Sequence, residues 1–138
     1  MMRAAAGILA SLLAAPALAG QADLTGSWTA VRAERDGAPA PELVGHRLSF
    51  AGDRFEIVGA DGVLLYAGVW HADAAAEPAR IDFVNEAGEA AGATWEGIYS
   101  LDAGELTIVD DAPDPSAPRP TAFTAGKGSG YVLLVFTR

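Results

Sequence analysis

Beyond the first 19 positions, apolar residues either alternate with polar ones or gather in short β-branched and aromatic runs between Gly, Asp and Pro clusters. No long stretch shows the 3.6-residue repeat of an amphipathic helix. Eight segments read as strands: Ser27–Glu34, Arg47–Ala51, Arg54–Val58, Val63–His71, Arg80–Asn85, Thr94–Leu101, Glu105–Asp110 and Tyr131–Thr137. Between them, Ala51-Gly52-Asp53, Gly59-Ala60-Asp61-Gly62 and Asp102-Ala103-Gly104 supply Gly or Asp where a tight turn needs positive φ. Links this short join antiparallel neighbours, because parallel strands need long crossovers. One helical turn is expected at Ala40–Val44, beside Pro39 and Pro41. Asp110–Pro120, with four prolines and three aspartates, reads as a surface loop before the last strand.

Eight short antiparallel strands leave exposed edges unless the sheet closes on itself. The predicted fold is therefore all-β, an eight-stranded antiparallel up-and-down barrel. Alternation puts Leu48 with Phe50, Phe55 with Ile57, Ile81 with Phe83, and Leu106 with Ile108 on inward faces. Tyr131–Phe136 is apolar on both faces, which predicts an outer cover over the last strand, from the Pro-rich loop or the helical turn.

The first 19 residues belong to a different pattern. Met1-Met2-Arg3 is a short cationic start, Ala4–Ala15 is apolar and uncharged, and Ala17 and Ala19 sit where a signal peptidase reads small residues. This predicts a signal peptide over 1–19 and a single barrel domain over 20–138. The apolar run is shorter than the roughly 20 residues a bilayer-spanning helix needs. The expected location is periplasmic or secreted, with no stable membrane insertion after cleavage.

Composition narrows the partners. Alanine accounts for 30 of the apolar residues, but 33 larger ones remain beyond Ala19, enough for one packed core. Eight of the nine basic residues and all 18 acidic ones lie there, a net charge of −10. Nucleic acid is excluded as a partner, since its affinity rests on cationic contacts to phosphate. With no cysteine, no disulfide contributes.

Gly26-Ser27-Trp28 opens the first strand, and this Gly-x-Trp resembles the signature of lipocalins and their calycin relatives. Further blocks look like those of a small bacterial lipocalin-like family, a conserved domain abundant in planctomycetes without an assigned activity. They are Ala33-Glu34-Arg35-Asp36-Gly37, Phe50-Ala51-Gly52-Asp53-Arg54-Phe55, Gly97-Ile98-Tyr99-Ser100-Leu101, Arg119-Pro120-Thr121-Ala122-Phe123-Thr124 and Gly128-Ser129-Gly130-Tyr131-Val132-Leu133-Leu134-Val135. The blocks run from Leu24 to Arg138, and the resemblance implies an exported lipocalin-like barrel. Val109 stands where members often carry a cysteine, and Asp110–Pro118 is richer in Pro and Asp than the family pattern. The resemblance further implies that Trp28 plugs the closed end, with Arg138, after the last strand, stacked on it.

Candidate chemistry is sparse. His46 and His71 are isolated from one another and form no zinc motif. Ser129 lies in a glycine turn and not in a Gly-x-Ser-x-Gly elbow. Asp110-Asp111-x-x-Asp114 offers carboxylates to a hard cation but lacks the Gly and terminal Glu of an EF-hand loop, so a solvated charged loop is the plainer reading. No enzyme, metal or cofactor is expected. Tyr66 and Trp70 share one face, and Trp95, Gly97 and Tyr99 another; together with Tyr131 these aromatics either pack the core or wall a ligand site, the glycine making room. Arg32 and Glu96 are candidate polar orienting groups. Two functions follow: a module binding a small apolar or amphipathic ligand between Tyr66, Trp70, Trp95 and Tyr99, or a cell-envelope interaction protein with a filled core, docking through Arg119-Pro120-Thr121 and the Pro-rich loop. A void of several hundred cubic ångströms, the usual ligand-pocket scale, separates the two.

Overall fold

The computed structural model describes residues 20–138. The signal peptide expected over 1–19 lies outside the described residues. The strands are β1 (Gly26–Arg35), β2 (Ala38–Pro39), β3 (Arg47–Ala51), β4 (Arg54–Val58), β5 (Leu64–Asp73), β6 (Arg80–Gly88), β7 (Thr94–Asp102), β8 (Glu105–Asp110) and β9 (Val132–Thr137). Each of β3 to β8 pairs with the next antiparallel, β1 pairs with β3, and β9 returns to β1. The result is an eight-stranded closed antiparallel barrel. The ninth strand, β2, is a two-residue hairpin extension of β1.

All eight expected strands form, most within one or two residues of their expected ends. The helical turn expected at Ala40–Val44 is a 3-10 turn over Pro41–Leu43. One short helical turn, Gln21–Leu24, was not anticipated. It packs Leu24 under the barrel, fully buried. One of the two-residue hairpins shows why the turn residues matter. Asp102 pairs with Glu105 across Ala103 and Gly104, whose φ values are 52° and 82°. With both central residues at positive φ, that two-residue loop matches the right-handed twist of the flanking strands.

The inward faces pack as their alternation predicts. Leu48, Phe50, Phe55, Ile81, Phe83, Leu106 and Ile108 join Trp28, Trp70, Trp95, Tyr99 and Phe136 in one continuous core. A second cluster lies outside the barrel wall, where Ile98, Val109, Leu133 and Val135 are covered by Ala125, Phe123 and Tyr131. Residues of the 111–131 loop therefore cover the outer face of β7, β8 and β9, as the two-sided apolar character of β9 requires. Arg119 pins this loop: its Nη1 lies 2.8 Å from Asp82 Oδ1 and donates to Gly97 O at 2.9 Å. Tyr131 hydroxyl donates to Pro118 O at 2.9 Å, and Gly37 N–H to Ala125 O at 2.8 Å.

Candidate functional site

The barrel has a filled floor and a hollow mouth. At the floor, Trp28 donates its indole N–H to Leu24 O at 2.9 Å. The Arg138 guanidinium lies 4.0 Å from the Trp28 ring centroid and donates to Thr25 O and Asp23 O at 2.9 and 2.7 Å. Those bonds hold the cation over the indole, so Arg138 caps the floor.

Above the plug the aromatics form a ladder. Phe50 meets Trp70 with ring centroids 4.1 Å apart, Phe83 stands edge-on to Phe55 at 5.0 Å, and Trp95 stands edge-on to Tyr66 at 4.9 Å. Trp70 is fully buried and donates its indole N–H to Gly52 O at 3.0 Å.

The upper rungs open into a cavity of about 500 Å³. Its walls are Leu48, Ile57, Tyr66, Phe83, Trp95, Ile108, Val132, Leu134 and Phe136. Its rim is built from segment ends: Arg35, Leu43, Glu89, Ala90, Ala93 and the Asp110–Pro115 stretch. These positions end β1, β6 and β8 or precede β3 and β7, so they lie together at one end of the barrel.

The expected lining residues divide. Tyr66 and Trp95 line the cavity. Trp70 and Tyr99 lie below it in the packed core and do not wall it. Arg32 and Glu96 are corrections, because both stand on the outer face. A bulge between Ala30 and Arg32 resets the alternation of β1, so Arg32 pairs with the outward Val135 and its guanidinium binds Glu34 at 2.6 Å. Glu96 alternates with the cavity-lining Trp95 and approaches Arg119 outside, at 3.8 Å. Gly97 makes room for close approach of the barrel wall and not for a ligand, as it does not line the cavity. A Cβ there would lie 2.6 Å from Val109 O and 2.9 Å from Asp110 Cβ.

Asp110 and Asp111 are not part of a solvated loop. Leu106, Ile108 and Asp110 alternate inward along β8, and Asp110 lines the cavity while almost fully buried. Burial pushes its carboxyl up to about 7, against the Ala112 N–H bond to Oδ1 at 2.9 Å and with the help of the Asp111 charge. Asp111 is also buried, and burial pushes it up to about 6 despite the Glu96 N–H donated to its Oδ1 at 2.8 Å. Asp114 Oδ1 accepts from Ser116. The three carboxyls thus serve separate partners: Asp110 and Asp114 each cap a local turn, and Asp111 ties the loop to β7. Among the described residues, no group of three His, Cys, Asp or Glu side chains is placed to hold a metal ion.

Asp110 is the site residue that sequence reasoning missed. Its signal was present: the third inward position of β8 is acidic where the first two are Leu and Ile. Compared with known proteins, the chain matches no family model, no curated protein and no solved structure.

Proposed function

We propose that this chain is an exported lipocalin-like protein that binds a small apolar or amphipathic molecule in the mouth of its barrel. The cavity carries this reading. A filled core was the alternative consistent with a cell-envelope interaction module, and the lumen above Phe83 is instead open over about 500 Å³. That volume falls within the roughly 300–1,000 Å³ of small-molecule sites, which are mostly apolar with few polar groups. The lining has that composition: aliphatic and aromatic walls, one inward carboxyl, and Arg35 and Glu89 at the rim. The reading is of a binding protein and not an enzyme. Its export rests on the 1–19 pattern, and its lipocalin-like character on Gly26-x-Trp28 and the blocks that follow.

The test is saturable binding of the neutral fluorophore N-phenyl-1-naphthylamine. One site per chain is expected, and Leu134→Trp, which puts an indole into the lumen, should abolish it. Absence of saturable binding, or binding indifferent to Leu134→Trp in a folded variant, would overturn the proposal.

A further inference from the structure

The apolar lumen holds an acid at a position where the neighbouring inward residues of its strand are hydrocarbon. A buried carboxylate without a cationic partner is costly. Asp110 has no such partner among the described residues. Arg35 faces the same lumen across Val132, but its guanidinium is bound to Glu42. Arg119 lies on the outer face, held by Asp82 and Glu96. Glu89, at the rim, adds a second carboxylate that forms no ion pair among the described residues. The turn that Asp110 caps does not require a charge, because a neutral Asn or Ser oxygen would accept the Ala112 N–H equally well.

We propose that the cavity is selective for amphipathic cations, an apolar body carrying one protonated amine, with the Asp110 carboxylate as counter-ion. This rests on the reading of the cavity as a ligand site and names its ligand class. An ammonium group donating to Asp110 forms a charge-assisted hydrogen bond, which is strengthened where water is displaced. The Tyr66–Trp95 pair supplies aromatic surface for the cation and for the apolar body. The net charge of −10 beyond Ala19 draws cations toward the protein and disfavours fatty-acid-like anions.

Octylamine, octan-1-ol and octanoate share one tail and differ in the head group. Calorimetric titration of the purified full chain at about pH 8, where the Asp110 carboxyl is ionised, is expected to rank the amine at least about tenfold tighter than the alcohol, with octanoate weakest. Asp110→Asn is expected to bring the amine to within about threefold of the alcohol and leave the alcohol affinity in place. Equal binding of amine and alcohol, or an amine preference that survives Asp110→Asn, overturns the proposal while leaving the cavity a ligand site. Binding of none of the three overturns both. If Asp110→Asn does not fold, the carboxyl carbon-13 signal of Asp110 in the unmutated protein decides. Movement with octylamine but not with octanol supports the proposal, and identical responses refute it.

Discussion

Replacing Asp110 by Asn isolates the energetic consequence of an acid inside the barrel. Asn keeps the oxygen that accepts the Ala112 N–H at 2.9 Å and removes the ionisation. In the folded protein the carboxyl titrates at about 7, against an ordinary 3.8. A gap of about three pH units corresponds to on the order of 4 kcal/mol. The sign follows from proton binding. Between about pH 4 and pH 7 the folded chain holds a proton that the unfolded chain has released, so this group stabilises the fold most at low pH. That stability is lost as pH rises through about 7. Asp111, raised to about 6, contributes a slope of the same sign in both proteins. Urea unfolding followed by tryptophan fluorescence measures both. At about pH 5, roughly one pH unit above the unfolded-state value, Asp110→Asn should already be more stable than the unmutated protein by about 1–2 kcal/mol. At about pH 8 it should be more stable by roughly 2–4 kcal/mol. A stability difference that is the same at both pH values would refute the claim that burial of this carboxyl dominates.

Three further substitutions probe the frame of the cavity. Gly97→Ala forces a methyl against Val109 O and Asp110 Cβ and should cost about 1–3 kcal/mol, read as a lower urea midpoint; an unchanged midpoint would mean that β7 and β8 separate freely there. Ala103→Asn places a residue tolerant of φ 52° beside Gly104 and should stabilise the hairpin by about 0.5–1 kcal/mol, seen as a raised melting temperature. A lowered melting temperature would contradict the turn assignment. Arg119→Ala removes the pin between the 111–131 loop and the β6–β7 face and should cost about 2 kcal/mol. It should also speed limited proteolysis within that loop, and unchanged cleavage would show that the outer apolar cluster holds the loop alone.

The barrel was legible because strand pairing leaves a period-two trace. Leu48 and Phe50, Ile81 and Phe83, and Leu106 and Ile108 all face inward as their alternation requires. The two-sided apolar character of β9 was legible for the same reason, since it demanded a cover, and Phe123, Ala125 and Tyr131 provide one. The cavity was not legible, because a void is what remains after side-chain volumes are fitted together. Trp70 and Tyr99 fill their level of the barrel, while Tyr66 and Trp95, of similar chemistry, stand where the lumen is open. Arg32 was misplaced because one bulge residue shifts the alternation after Ala30, and bulges leave no composition signal. Asp110 was obscured by its neighbours: its aspartate- and proline-rich sequel suggested a solvated loop, although its own register continues the inward face of β8.

The three tryptophans provide the most direct test of a barrel that is hollow at one end and sealed at the other. Trp95 lines the cavity, Trp70 lies in the packed core with its N–H on Gly52 O, and Trp28 is sealed at the floor with its N–H on Leu24 O. Their indole N–H signals in a nitrogen-15 correlation spectrum can be followed during titration with octylamine. The account predicts a large, saturable shift of Trp95, a smaller one of Trp70 and a still Trp28. A shift led by Trp28, or equal shifts of all three, would contradict it.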